Sequence, residues 1–451
     1  MLFNSLTYLI FVPVVFALYW AVRTSRWQNM VLLAASCCFY GWWSLPFLGL
    51  MLATCLLNWV GVGVMCSKSG RRWRRSWLTG TLALNFGVLG IFKYFNFFAS
   101  NLSVLLSSIG FKADMPTLDI ILPVGISFYT FQLSAYVIDC YRSDLPPDRS
   151  LLRFMTFITF FPQLVAGPIE RGSHLLPQFA SKRSFDRADA TEGMRLILWG
   201  LLKKMLVADN CAAQADYVFS NYESVSTPTL WLGAIYFTFQ IYGDFSGYSD
   251  MAVGSAKLFG VQISRNFNRP YFALSMKEFW RRWHITLMGW FRDYVYIPLG
   301  GSRKGKFRTH ANTLSVFLLS GLWHGSNWTF VCWGLYHALI YRLRLRWLTL
   351  AAVVLGWVIF RAPDISSAAG YLSGMFSVSM LSAPSCSRMP IVVIALLMLA
   401  EWRMKDSPHP FQWRASGWQG SQLVRMAVYL TVFVATIVLG GEKTQFIYFQ
   451  F

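Results

Sequence analysis

Apolar runs recur along this chain from one end to the other, and no other feature constrains its fold more. They cover Leu6–Val22, Met30–Trp43, Pro46–Met65, Trp77–Phe98, Ile120–Ile138 and Leu151–Ala166 in the first half. Leu196–Val207, Leu230–Ile241, Asn312–Cys332, Trp347–Phe360, Ile391–Ala400 and Val424–Leu439 follow. About 20 apolar residues cross a bilayer core, so the shorter runs must borrow flanking residues or be re-entrant. The pattern predicts an all-α polytopic membrane protein with roughly eleven membrane segments. Composition points the same way: of 451 residues, 55% are hydrophobic and only 13% charged. That is too little charge to coat a soluble domain, which excludes an ordinary cytosolic enzyme and a disordered or collagen-like chain.

The formal charge is +20, from 40 Lys and Arg against 20 Asp and Glu. An excess of this size can mean nucleic-acid binding, but here each basic patch is a short loop between apolar runs. Lys68, Arg71, Arg72, Arg74 and Arg75 fill one; Arg303, Lys304, Lys306 and Arg308 fill another; Arg342, Arg344 and Arg346 make a third. Cations accumulate in cytoplasmic loops because they resist translocation, so the excess reads as orientation and no nucleic-acid partner is expected. Placing the first cluster inside puts the N-terminus outside, with Arg23 and Arg26 inside. The tail, residues 442–451, then falls on the extracytoplasmic side. Both ends outside require an even number of crossings, so some middle segments are expected to be re-entrant. No internal repeat or linker divides residues 1–451, and a single integral membrane domain is expected, with 170–195 a cytoplasmic loop or surface helices.

Several chemistries drop out. The eight Cys form no CxxC pair and sit in or beside apolar runs, which predicts buried free thiols. No HExxH or other metal-ligand spacing occurs, so no metal is expected. Gly300–Lys306 reads GGSRKGK, but Phe307 stands where a P-loop needs Ser or Thr on Mg²⁺.

Ionisable groups at membrane depth are costly, so those within apolar stretches are functional candidates. Three stretches stand out. In Trp231–Asp250, Asp244 and Asp250 flank Ser246, with Gly243 and Gly247 permitting close approach. Either a re-entrant turn with Asp capping a helix or a lining of the active cavity fits this pattern. In Lys277–Gly300, Glu278 can pair with Arg282 at i,i+4, and Trp280, Trp283 and Trp290 suit an interfacial helix. His284 is harder to explain so simply. In Leu314–Tyr336, His324 falls in the middle of an apolar span, with Ser320 before it, Asn327 after it, and Gly321 and Gly325 thinning the helix. His337 reads as structural.

These residues resemble the membrane-bound O-acyltransferase family, in particular its bacterial branch that acetylates alginate, peptidoglycan and related polysaccharides. The resemblance rests on PVGISFYTFQ (Pro123–Gln132), FFPQLVAGPIER (Phe160–Arg171), YGDFSGYSDMA (Tyr242–Ala252), KEFWRRWHITL (Lys277–Leu287), YIPLGG (Tyr296–Gly301), GLWHG (Gly321–Gly325), GWVIFRAPD (Gly356–Asp364) and FIYFQF (Phe446–Phe451). The stretches stand in the family's order over nearly the whole chain. The resemblance implies a ring of helices around a funnel-shaped active site in a bacterial inner membrane. It implies His324 as catalytic histidine and His284 as the second active-site position. The donor it implies is acetyl-CoA, entering from the cytoplasm as a substrate with no bound cofactor.

Acyl transfer needs a hydroxyl to attack a thioester, and neutral imidazole is suited to take that proton. His284 or Asn327 would orient the donor or stabilise the oxyanion. Asp244, Ser246, Arg281 and Arg282 are further substrate-binding candidates, and Arg281, Arg282 and Arg292 could attract the phosphates of an acyl-CoA. The resemblance also marks Tyr448 as an acyl relay to a periplasmic acetyltransferase- or esterase-like partner; an aromatic belt at the interface is the alternative. A polysaccharide or acyl-carrier transporter without chemistry is the other class to weigh, but no paired broken helices or inverted repeat support it.

Overall fold

A computed structural model describes residues 1–111, 117–118, 121–165, 167–344, 346–377, 382–404, 407–411 and 421–447, and among them every regular element is helical. The chain forms two compact units. One comprises residues 1–185 with 259–263 and 325–327; the other comprises 186–258, 264–324 and 328–451.

In the first unit, local chemistry starts each helix. Ser5 accepts from the Tyr8 N–H to cap Leu6–Ala21, Thr24 does the same for Ser25–Gly41, and Pro46 opens Leu45–Met65. Arg74–Leu89 continues through a π-helical turn, Gly90–Tyr94, into Phe95–Ser108. Leu45–Met65 and the continuous Arg74–Ser108 segment are each long and apolar enough to cross a bilayer. Between them Asn58 and Asn85 exchange amide hydrogen bonds of 2.7 and 2.9 Å, polar glue where apolar contact alone gives no preference over lipid. The Leu6–Ala21 helix buries Tyr8, Val15 and Tyr19 and turns Leu6, Leu9, Ile10, Val14 and Leu18 outward. A contiguous outward apolar face of this kind suits lipid and not water.

Within 170–195 the chain is helical over Gly172–Ala180 and again from Arg187, where Arg187–Leu201 begins, with the non-helical 181–186 between them. Gly172–Ala180 buries Leu175, Leu176 and Phe179 within the first unit. Arg183 is itself buried there, bonding Tyr19 at 2.5 Å and Asn29 at 2.7 Å. The expected run Leu151–Ala166 is shorter than it reads. It breaks at Phe160 into Leu151–Thr159 and Phe161–Leu164, with Pro162 in the first turn of the second helix; Ala166 lies outside the described residues. Cys55, Cys140, Cys211 and Cys386 are buried as expected, whereas Cys38 is exposed.

The second unit is organised on one 32-residue helix, Thr227–Leu258. Arg187–Leu201 runs antiparallel along it, because Gly193 meets Gly254 and Gly200 meets Gly247. A Cβ on any of the four would stand 2.4–2.7 Å from a facing backbone oxygen. These paired glycines bring the two backbones together. The long helix also corrects one expectation. Asp244 caps no helix and marks no re-entrant turn; it lies mid-helix, where Lys204 faces it at 2.8 Å. A buried carboxylate matched by a cation does not need a helix terminus to hold it.

Candidate active site

His324 is the last residue of the Gly305–His324 helix, and Trp328–Ile340 begins four residues later. The expected span Asn312–Cys332 is therefore two helices, and His324 stands at the break instead of midspan. The non-helical Gly325–Asn327 stretch ends the first helix. Asn327 lies in that turn. The two helices close on each other through Gly321 and Gly334, whose added Cβ atoms would meet the carbonyl oxygens of Phe330 at 2.1 Å and Phe317 at 2.4 Å. The buried His324 ring is walled by Trp323, Trp333 and Phe360 at centroid distances of 5.0, 5.3 and 5.3 Å.

His284 stands at a second break. The single interfacial helix expected over Lys277–Gly300 is instead Met276–Arg282, Ile285–Phe291 and a π-helical Arg292–Tyr296. Trp280, Trp283 and Trp290 are all buried within the protein. His284 itself is left-handed, with φ 44° and ψ 53°. Asn266 fixes the turn: its carbonyl oxygen accepts from the Ile285 N–H, and its side-chain oxygen accepts from the Thr286 hydroxyl at 2.5 Å. The His284 ring lies edge-on to Phe245 at 4.7 Å and contacts Trp323 at 5.8 Å. Trp323 thus touches both histidines.

A left-handed residue with a Cβ costs about 1–2 kcal/mol, and Asn tolerates the conformation better than most. His284→Asn is accordingly expected to melt higher in detergent than His284→Val, by the equivalent of about 1–2 kcal/mol. Equal melting temperatures would show that the kink relaxes without its ring.

A cavity of about 900 Å³ lies along the Met276–Arg282 and Ile285–Phe291 helices, and neither histidine lines it. Ile285, next to His284, lines it, and so do Lys277, Arg281, Arg292, Arg342 and Arg344, with no carboxylate in its wall among the described residues. Trp280 and Phe317 also line it, and Trp280 meets Trp333 at 5.5 Å, the ring that walls His324. Arg282 is not part of this wall: it pairs with Glu278 at 2.6 Å, as the i,i+4 spacing predicts. Arg342 and Arg344, read from sequence as loop charge, are brought to the cavity by the fold.

Asp244 and Ser246 belong to a buried polar cluster. Lys203 donates to Ser246 at 3.0 Å and pairs with Asp250 at 2.6 Å. Lys204 sits between Asp244 at 2.8 Å and Asp209 at 2.9 Å. Tyr242 donates to Glu401 nearby. Sequence reasoning missed Lys203, Lys204, Asp209, Asn266 and Glu401. A signal existed for the two lysines, since they interrupt the apolar run Leu196–Val207. They fall in a π-helical stretch, Leu202–Ala208, in which both adjacent side chains are buried. Tyr448 lies outside the described residues.

A membrane-embedded helical protein with two buried histidines and a cationic cavity has the parts an acyltransferase needs. Residues 142–354 match the membrane-bound O-acyltransferase family. The chain is 37% identical, over the full length of both, to the Pseudomonas putida protein named probable alginate O-acetylase AlgI. It is 39% identical to the Pseudomonas aeruginosa protein of the same name, over 90% of this chain and 82% of that one. With the Helicobacter pylori peptidoglycan O-acetyltransferase it shares 31% identity over 100% of this chain and 98% of the relative. The chain belongs to the membrane-bound O-acyltransferase family. It is a membrane-bound enzyme of O-acyl transfer.

Proposed function

We propose that this chain takes an acetyl group from acetyl-CoA on the cytoplasmic side of a bacterial inner membrane and passes it outward for O-acetylation of a polysaccharide such as alginate or peptidoglycan. The observation that carries the reading is the meeting of His284 and His324 on Trp323, together with the cation-lined cavity. Relatives named for alginate and peptidoglycan acetylation support the polysaccharide class. The reading keeps the chain as one integral membrane domain of roughly eleven segments, its helices ringed around a funnel-shaped active site. Some of those segments are re-entrant, in keeping with helices broken at His284 and His324.

Arg281, Arg292, Arg342 and Arg344 hold the donor's phosphates, and the cavity's aromatic wall takes its pantetheine arm. His324 accepts the proton of the attacking hydroxyl as that oxygen bonds to the thioester carbonyl carbon. The carbon–sulfur bond then breaks, and the leaving thiolate takes the proton back from the imidazolium. His284 or Asn327 stabilises the oxyanion between these steps. Tyr448 supplies the attacking hydroxyl and carries the acetyl ester to a periplasmic acetyltransferase- or esterase-like partner.

Purified protein incubated with acetyl-labelled acetyl-CoA is expected to release free thiol and to carry label on its C-terminal peptide, read by mass spectrometry. Tyr448→Phe is expected to lose that label, because an interfacial anchor keeps its ring while a relay loses its nucleophile. Full acetylation of the polysaccharide by Tyr448→Phe would overturn the relay, and absence of thioester consumption would favour the transporter.

A further inference from the structure

The Ile285–Phe291 helix divides the core from the cavity. Leu287, Trp290 and Phe291 are buried, whereas Ile285, Met288, Gly289 and the following Arg292 line the cavity. Those lining residues stand at i, i+3, i+4 and i+7, the spacing of one helical face. The face starts at the residue after His284. It runs about 10 Å to Arg292, at about 1.5 Å of rise per residue. Asp293 holds Arg292 at 2.7 Å, and Lys277, Arg281, Arg342 and Arg344 complete the cationic part of the wall.

Gly289 is the odd member of this face. Glycine is the least favourable residue for a helix interior after proline, so its presence there calls for a reason. At Gly200, Gly247, Gly321 and Gly334 the reason is close approach, since an added Cβ would meet facing backbone. At Gly289 an added Cβ would meet nothing within 4 Å, and the backbone is ordinary helix. No neighbour in the fold takes up the space, which opens into the cavity.

Another part of the wall is polar in one sense only. Thr309 and Thr313 line the cavity, and their hydroxyls donate to the carbonyl oxygens of Gly305 and Thr309 at 2.7 and 2.8 Å. With those protons committed to their own helix, the oxygens offer a ligand lone pairs. Such a wall suits a molecule that brings N–H groups.

We propose that the groove over Gly289 seats the pantetheine arm of the donor, with Thr309 and Thr313 accepting hydrogen bonds from its amide N–H groups. The inference rests on the reading of acetyl-CoA as donor. A ligand with phosphates on the cations and a thioester toward His284 needs a slender chain between them. A side chain at position 289 would stand where that chain passes. Gly289 is thus a specificity-determining residue, and it does not touch the reacting carbonyl.

The test uses full-length protein in detergent and two unreactive probes, measured by isothermal titration calorimetry. Desulfo-CoA carries both phosphates and arm, whereas ADP carries phosphates without the arm. Gly289→Leu is expected to bind desulfo-CoA about tenfold or more weakly and to keep its affinity for ADP within about twofold. Thr313→Val keeps the shape and loses the acceptor, so it should weaken desulfo-CoA by about two- to tenfold and leave ADP unchanged. Gly289→Ala supplies the readout that a structural role would not. It should melt at or above the wild-type temperature, because alanine suits a helix better and meets no neighbour, yet show a raised KM for acetyl-CoA at unchanged kcat. Gly63→Ala, equally free of neighbours, should leave KM as it is. If Gly289→Leu fails to fold, Gly289→Ala and Thr313→Val carry the test. Wild-type affinity for desulfo-CoA in the folded Gly289 variants would overturn the groove alone. Wild-type protein that binds neither probe would overturn the acetyl-CoA reading, and the groove with it.

Discussion

Replacing His324 with alanine is expected to lower the rate of acyl transfer by about 10²–10⁴-fold, the range a positioned general base supplies. Two effects are superimposed in that variant and can be separated. Removing the ring opens a gap among Trp323, Trp333 and Phe360, which costs packing whether or not the imidazole does chemistry. His337 offers the matched control. It is also buried, and its ring lies against Trp333 at 4.8 Å and Trp280 at 5.0 Å. His337→Ala should lose comparable stability and keep most of its turnover, whereas His324→Ala should lose turnover in the fraction that remains folded. Thiol release per mole of folded protein measures both. Equal activity in the two variants would remove His324 from the chemistry.

The second large effect concerns a residue with no side chain. Gly321→Ala would put a Cβ 2.1 Å from the Phe330 carbonyl oxygen and 3.0 Å from its carbon. Backbone cannot swing aside as the end of a flexible side chain can, so the Gly305–His324 and Trp328–Ile340 helices must separate. Overpacking of this kind costs about 1–3 kcal/mol and sometimes more. His324 lies one turn along the same helix and moves with it, and a displacement of about 1 Å at a catalytic group can cost about 10²-fold in rate. Gly321→Ala is therefore expected to lose activity out of proportion to its loss of melting temperature. Gly63→Ala is the control, since nothing stands within 4 Å of the Cβ it would add. If both variants behave as wild type, the close approach at Gly321 does not hold His324 in place.

Much of the site was legible because of one rule, that polar groups are rare at membrane depth. That rule singled out Asp244, His284 and His324 from a chain that is mostly apolar. Periodicity could not find the breaks beside them. A run such as Asn312–Cys332 is uniformly apolar whether it is one helix or two, and the sequence around His284 carries no proline or glycine to signal a kink. Asn266, distant in sequence from Thr286, makes that kink by accepting its hydroxyl. The Lys204 cluster was hidden for the same reason. Its members come from residues 204, 209, 244 and 444, and no local pattern links them.

Charge shows the division most plainly. Read along the chain, the +20 excess sorts into short loops and reports orientation, because each cation is judged by its neighbours in sequence. Folding then gathers Lys277, Arg281, Arg292, Arg342 and Arg344 around one cavity, and buries Lys203 and Lys204 where carboxylates from other helices neutralise them. Apolar content and spacing are local properties, so the sequence by itself determined that this protein is helical and membrane-bound. Which cations meet a ligand, which hold the fold and which merely orient it depends on distances of a few ångströms between remote segments. Only the tertiary structure decides that.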